Sequence, residues 1–234
     1  MHFSSNSFSK QLLLCMAAAL ISSAFFGCKT THRINQRYDT TFGKKEQTTN
    51  VHQAEKMPEH LRRVAILPMH LGRYDHIEFR HIEENFSQEL IKQNLFEVLV
   101  ITPEEMKDHF SKERFSSAEY LPTKLLSKLH TAYAIDGVML LDVSYFNAYQ
   151  PVGLGVRAKL LDGHTGEIVW AVDQLFDSSA PSVSNAAREF YKTQSLLQYP
   201  IKNTGNVLHS PNQFSKYVAN SVFSTISNKN LKNP

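Results

Sequence analysis

The sequence predicts an α/β protein: a mixed sheet of about five strands, with a parallel core and an antiparallel hairpin, packed with flanking helices as a two-layer or three-layer sandwich. Three observations predict this fold. Apolar strands alternate with helical stretches as far as residue 146, a strictly alternating pattern occupies residues 152–160, and a glycine-containing turn joins it to another strand. The strand–helix–strand order implies parallel strands with right-handed crossovers.

The first predicted strand is the apolar run Val64 to Leu67, which ends at Pro68. An amphipathic helix follows, because apolar residues recur at helical spacing and fall largely on one face. These residues are Ile77, Phe79, Ile82, Phe86 and Leu90.

The second strand, FEVLVI, alternates only weakly, so we expect it to be covered on both faces. It leads into a helix that Thr102 caps, with Pro103 at its first position and Glu105 completing a capping box. Another helical stretch, TKLLSKLHTAYAID, precedes the third strand, Asp136 to Phe146.

The segment VGLGVRAKLLD alternates between a buried and a wet face, and the turn DGHTGE joins it to the strand IVWAVDQLF as a hairpin. Glycine inside the first of these strands indicates a bulge or a close packing approach. The buried face takes Val152, Leu154, Val156, Ala158 and Leu160, with Ile168, Trp170 and Val172 on the second strand; the wet face takes Gly153, Gly155, Arg157 and Lys159.

Two more helices are predicted after residue 176. The second begins at Pro211 and closes the domain, with Phe214, Val218 and Val222 on one side.

Charge and cysteine content exclude several functions. The net charge of +3, from 25 basic and 22 acidic residues, leaves no basic stripe for a nucleic-acid partner. The two cysteines, Cys15 and Cys28, both precede any plausible core, so neither a disulfide framework nor a thiolate zinc site is expected.

The amino terminus has the layout of a secretory signal, with Lys10 before an apolar run from Leu12 to Phe26. Three interpretations stay open. A membrane-spanning anchor needs about 20 apolar residues, more than this run supplies. Ordinary cleavage after Ala24 fits the small-residue rule, and a lipoprotein signal would be cleaved before Cys28.

The lipoprotein interpretation is the one we adopt, because Gly27-Cys28 closes the run and resembles the bacterial lipobox, although Phe25 and Phe26 depart from that motif. It predicts a signal peptide at 1–27, a lipidated flexible tether at 28–60 and one α/β periplasmic domain at 61–234. The tether is polar and lacks periodic apolar residues, so it cannot bury enough surface to offset its conformational entropy.

No catalytic, metal or cofactor site is predicted. The spacing of His70, His76 and His81 does not place two rings on one helical face. Asp136 and Asp142 bracket a buried strand, where a carboxylate can be catalytic, but no second carboxylate with definable geometry accompanies either, so structural roles are expected.

Four segments, taken in order, carry a family resemblance: RRVAILP, FEVL with ITPEEM, AIDGVMLLDVSYF and VRAKLLDGHTGEIVWA. They resemble the periplasmic domain of CsgG-like curli-secretion lipoproteins, LpoB-type synthase activators and the TolB amino-terminal domain, and also outer-membrane lipoproteins of unknown role. The resemblance covers roughly Arg62 to Phe176 and is strongest in the hairpin, at Arg157, Asp162, Thr165, Gly166, Glu167 and Trp170.

This resemblance implies a non-enzymatic accessory that binds another envelope protein in assembly, secretion or synthase activation. Lys29 after the cysteine resembles the outer-membrane sorting signal, so acylated Cys28 would hold the domain on that membrane, facing the periplasm. Tyr149, within the segment 146–151, and the wet-face residues Arg157 and Lys159 are the predicted contact surface.

Two alternatives and one further possibility remain. A curli-type export channel would need two long amphipathic hairpins per subunit, and the connections here are too short to hold them. A periplasmic hydrolase would need carboxylates or histidine converging near Asp142 in a cleft. A homo-oligomer is possible under any of these functions.

Overall fold

The computed structural model describes residues 43–75, 79–195 and 207–226. They contain six strands in one sheet of order β1-β6-β5-β4-β2-β3, together with five α-helices. The strands are β1 (Val51–Gln53), β2 (Arg63–Ile66), β3 (Glu97–Val100), β4 (Gly137–Asn147), β5 (Gly153–Asp162) and β6 (Ile168–Asp177). The helices are α1 (Arg80–Lys92), α2 (Pro103–Phe110), α3 (Leu125–Tyr133), α4 (Pro181–Ser195) and α5 (Pro211–Phe223).

The sheet is mixed, as predicted. β2 pairs in parallel with both β3 and β4, whereas β4, β5 and β6 form an antiparallel meander. The β2–α1–β3 and β3–α2–α3–β4 connections are the crossovers that parallel strands require. The predicted α/β class is therefore confirmed, with one strand more than the five expected.

Helix starts follow local sequence signals. Thr102 Oγ1 accepts a hydrogen bond from the Glu105 amide at 3.2 Å, and Glu105 Oε2 accepts one from the Thr102 amide at 2.8 Å. This reciprocal pair is the predicted capping box of α2, with Pro103 at the first helical position. Ser210 caps α5 in the same position before Pro211.

Hydrophobic residues pack on both faces of the sheet. One core joins α1, α4 and α5 to the sheet and includes the fully buried Phe86, Trp170, Phe214 and Phe223. The other joins α2 and α3 to β2 and β4. Two cores on opposite faces make the fold a three-layer sandwich. The second core contains Ala65, Leu67, Ile101, Met106, Phe115, Leu125, Leu129, Ile135, Val138, Leu140 and Leu161.

The sixth strand lies where the sequence predicts tether. β1 pairs antiparallel with β6, with Val51 opposite Val172, and Thr48 Oγ1 donates to the Ser221 carbonyl at 3.1 Å. The folded domain therefore includes residues before 61. β1 has only three residues, VHQ, and no apolar period of its own, so its strand conformation depends on pairing with β6.

The prediction that Ile168, Trp170 and Val172 share one buried face is wrong for Ile168. Leu160 pairs with Trp170 and Leu161 with Ile168, so Val169 is the extra residue of a bulge. Trp170 and Val172 are buried, whereas Ile168 is 41% exposed. A bulge reverses the alternation, and no period-2 pattern in the sequence contains that information.

The predicted buried positions of the first helix region, including Phe79, Ile82 and Leu90, are buried. The expectation that the strand FEVLVI is covered on both faces is wrong, because in the described residues β3 is the last strand of the sheet and its Val100 is 48% exposed. Ile77 and His76 lie outside the described residues. Within the described ranges no helix combines the length and hydrophobicity that crossing a membrane requires.

Candidate functional site

The chain diverges to opposite faces of the sheet at the carboxyl ends of β2 and β3. From β2 it leads to α1 on one face, and from β3 it leads to α2 and α3 on the other. In open α/β sheets such a topological switch point is where ligands bind. Beyond β2, the His70 amide donates to the Leu141 carbonyl at 2.7 Å, which places His70 beside Asp142.

Asp142 is a buried carboxylate that holds a loop. It is 5% exposed, and its two oxygens lie 3.1 and 3.0 Å from the Ser117 amide nitrogen. The Ser117 hydroxyl also donates to Asp142 Oδ2, and His70 Nδ1 lies 3.4 Å from Oδ1. The carboxylate is therefore saturated by the loop around Ser117 on one side and by His70 on the other.

The order of these contacts decides what the cluster can do. In a Ser–His–Asp relay the imidazole stands between hydroxyl and carboxylate, so that it can take the hydroxyl proton. Here the carboxylate stands between Ser117 and His70, and the hydroxyl donates to Asp142. The hydrolase alternative does have a histidine near Asp142, but the serine hydroxyl is bonded to the carboxylate and not to the imidazole. The arrangement fits the structural role expected for Asp142.

Asp142 lies in the middle of β4 and not at its end as predicted, whereas two other aspartates, Asp136 and Asp162, lie at strand ends and also bind backbone amides. Asp136 Oδ2 accepts from the Arg62 and Arg63 amides at 3.1 and 3.0 Å. Asp162 Oδ1 accepts from the His164 and Thr165 amides in the hairpin turn. Burial acts to raise the pKa of Asp162, but these amides and His60 outweigh burial and hold the pKa below its ordinary value.

The two histidines singled out in the sequence that the structure describes, His70 and His81, do not converge. His70 pairs with Asp142, and His81 lies 3.4 Å from Glu84 on the exposed side of α1. A different set meets unexpectedly: the His164 ring centroid lies 5.0 Å from that of His60 and 5.1 Å from that of His130. No group of three or more possible metal ligands is found among the described residues.

The predicted contact residues lie in two places. Arg157 and Lys159 are partly exposed on the predicted wet face of β5, whereas Gly153 and Gly155 of that face are buried. Arg157 Nε and Nη2 donate to Asp173 Oδ2 at 2.9 and 2.8 Å, while Lys159 Nζ donates to the Ser117 carbonyl at 2.6 Å. Tyr149 is 83% exposed in the β4–β5 loop. Asp173 thus fixes the Arg157 side chain at the surface, whereas the Lys159 side chain binds the Ser117 loop.

Sequence reasoning missed the exposed apolar residues beside Arg157. Across the meander, Tyr145 pairs with Gly155 and Gly155 with Leu175, and in the next row Arg157 pairs with Asp173. Tyr145 is 37% and Leu175 53% exposed. These five residues are called the open face below.

Glycine makes the open face flat. A Cβ at Gly153 would lie 2.7 Å from Tyr145 Cε1, and one at Gly155 would lie 2.6 Å from Ser144 Oγ and 3.1 Å from the Tyr145 amide nitrogen. The ladder shifts register between Val143 and Tyr145, opposite these glycines. The predicted close approach at the glycines is therefore confirmed, whereas the bulge lies in the neighbouring strand β4, and the Tyr145 ring packs directly onto β5.

Comparison with known proteins yields structural likeness only. No family model matches the sequence, and no curated protein matches it. Among solved structures, a PelC dodecamer from Paraburkholderia phytofirmans matches with a TM-score of 0.38 at 13% identity, over 58% of this chain and 86% of that one. Lipoprotein GNA1162 from Neisseria meningitidis matches with a TM-score of 0.37 at 12% identity, over 60% and 99%.

The LpoB carboxyl-terminal domain from Salmonella enterica matches with a TM-score of 0.34 at 14% identity, over 49% of this chain and 82% of that one. Two of the matched structures are thus a lipoprotein and a member of the LpoB type that the sequence resembles. At these scores the likeness carries no functional conclusion, and the CsgG-like and TolB-like parts of the resemblance stay predictions.

Proposed function

We propose that this chain is an exported lipoprotein, held on the outer membrane by acylated Cys28 and facing the periplasm, whose domain binds another envelope protein without catalysing a reaction. Gly27-Cys28 at the end of the apolar run supports the anchor. The contacts of Ser117, Asp142 and His70 support a binding role over a hydrolytic one, because the carboxylate, and not the imidazole, accepts from the serine hydroxyl.

The observation that carries the binding role is the open face. Interface centres are enriched in tyrosine, arginine and apolar residues and depleted in unpaired charge. The open face presents Tyr145 and Leu175 beside an Arg157 whose charge is already matched by Asp173. Because two of its nitrogens already donate to Asp173 Oδ2, Arg157 loses little conformational entropy when a partner docks. Tyr149 extends the predicted surface, whereas Lys159 serves mainly to hold the Ser117 loop.

The Cys28→Ser variant tests the anchor. We expect the wild-type chain to sediment with membranes and to carry the added mass of acyl chains on a new terminus at Cys28, because sulfur acylation requires the thiol. The variant should keep its signal peptide uncleaved at that site and lack the acyl mass, as measured by intact-protein mass spectrometry. Cys15→Ser is the matched control and should behave as wild type. Acyl-free, membrane-bound wild type would contradict the lipoprotein assignment.

The open face is tested by a photo-crosslinking residue placed at Leu175 in the full-length chain. We expect one discrete adduct with an envelope protein, and we expect Tyr145→Ala to weaken binding of that purified protein about tenfold or more, as removal of a central interface aromatic does. The same crosslinker at Lys107, exposed on α2, is the control and should yield no such adduct. Equal adducts from both positions, or unchanged affinity in Tyr145→Ala, would contradict the open face as the contact.

A further inference from the structure

A groove of about 790 Å³ lies at the β3 end of the sheet, far from the open face in strand order. Its helical wall is one stripe of α1, formed by Arg80, Glu84, Ser87, Gln88 and Ile91. Its other wall is the end of β3 and the residues that follow, 100–104. Apolar residues between β2 and α1, including Met69, Leu71 and Phe79, line its interior. The groove therefore lies at the carboxyl end of the edge strand β3, against one side of α1.

Among the described residues, one edge of β3 is unpaired as far as Val100, where the strand meets the groove. In the described residues β3 is the last strand of the sheet. The Glu97 amide donates to the Arg62 carbonyl at 2.7 Å and the Ile101 amide to the Ile66 carbonyl at 3.1 Å. Alternate residues of a parallel strand face the same neighbour, so Val98 and Val100 direct their amides and carbonyls outward. Such an edge is a template for one more strand.

The side chains around this edge are apolar and exposed. Val100 is 48% and Ile91 51% exposed. Val98 packs in the same core as α1, and Val100, two residues on, lies on the same face of the strand. A strand added beside β3 would therefore place every second side chain between Val100 and the Ile91 end of α1.

The charge of the groove favours a basic partner. Its charged lining comprises the carboxylates of Asp75, Glu83, Glu84 and Glu104 and the guanidinium groups of Arg80 and Arg114. Arg114 already contacts Glu83 and lies 4.0 Å from Asp75, and its Nη1 also donates to the Met69 carbonyl. The carboxylates are in excess, so a segment bearing lysine or arginine complements the groove.

We infer that this groove binds an extended segment of a partner polypeptide, which pairs with β3 as a seventh strand and alternates aliphatic with basic side chains. Strand addition supplies affinity through main-chain hydrogen bonds, while the alternate side chains supply selectivity. This contact goes beyond the open face: it is a second surface, with a partner class of its own, and either surface can fail experimentally without the other.

The test uses the full-length chain in detergent and labelled peptides of about six residues, a typical strand length. A peptide alternating valine and lysine should bind, a valine–glutamate peptide should not, and binding should protect the Val98 and Val100 amides from hydrogen exchange. Val100→Pro removes one outward amide at an edge position that tolerates proline, and it should weaken binding about tenfold, the equivalent of one hydrogen bond. Val100→Ala keeps that amide and is the control. Glu84→Lys with Glu104→Lys should reverse the preference between the two peptides.

Several results would overturn the inference. Absence of binding at peptide concentrations of about 1 mM would do so, since that corresponds to only about 4 kcal/mol of binding energy. Binding that leaves the Val98 and Val100 amides unprotected would show a side-chain or helical contact instead of strand pairing. Concentration-dependent dimerisation that protects these amides without peptide would make a second copy of the chain the occupant. Loss of peptide binding with an intact open-face adduct would reject this inference and leave the proposed function standing.

Discussion

Replacing Trp170 with alanine should lower the free energy of unfolding of the domain by about 3–5 kcal/mol, the range for truncating a buried aromatic side chain. Trp170 is 0% exposed, its ring centroid lies 6.2 Å from that of Phe223, and its Nε1–H donates to Thr225 Oγ1 at 3.0 Å. The indole thus joins β6 to the end of α5, and alanine would leave a cavity between sheet and helix. Urea unfolding followed by circular dichroism measures the loss. Tryptophan fluorescence cannot be used, because the variant lacks Trp170, the single tryptophan of the sequence.

Trp170→Phe is the matched control. It keeps most of the ring against Phe223 but removes the hydrogen bond to Thr225, so it should cost about 1–2 kcal/mol. The difference between the two variants separates cavity formation from the hydrogen bond. An alanine variant with the wild-type urea midpoint would contradict the role of the indole in holding α5 to the sheet.

The parts of the fold that were predicted correctly depend on neighbours in the sequence. The capping box of Thr102 and Glu105 spans three residues, and the buried face of β5 is a period-2 pattern within one strand. The helix face of Phe79, Ile82 and Leu90 needs only helical spacing. Such signals act within one element, so the sequence contains them in readable form.

The parts that were missed depend on distant residues. β1 becomes a strand only because β6 pairs with it, more than a hundred residues later. Ile168 is exposed because a bulge interrupts the ladder, and no local pattern marks it. The approach of Ser117 to Asp142 joins a loop to a strand 25 residues away, and Ser117 carries no signal in a loop rich in serine. Tertiary contacts decide these features, and propensity does not.

The candidate sites were likewise only partly predictable from the sequence. Arg157 and Lys159 could be assigned to one wet face from alternation alone, but their different partners, Asp173 and the Ser117 carbonyl, could not. The open face needed the sheet order, which sets Leu175 in the row of Tyr145. The groove beside β3 needed both the strand order and the position of α1.

Replacing Asp142 with alanine should lower the free energy of unfolding by about 2–4 kcal/mol, because it removes hydrogen bonds to a charged acceptor and leaves the Ser117 amide buried without a partner. Ser117 is 5% exposed, so water does not readily replace the carboxylate. Hydrogen exchange should report the loss first at the Ser117 amide, and then along the loop that Lys159 holds through the Ser117 carbonyl.

Two controls decide whether Asp142 acts through the Ser117 loop. Asp142→Asn keeps one carbonyl oxygen as an acceptor for the amide and should lose about half as much stability as alanine. Ser117→Ala removes the hydroxyl but keeps the amide, so its effect should shrink in the Asp142→Ala background and give a coupling energy of about 1 kcal/mol or more. Additive effects of the two substitutions, with unchanged protection of the Ser117 amide, would mean that the carboxylate does not hold the loop. Asp142 beside His70 would then need another explanation, and the hydrolase alternative would regain its strongest argument.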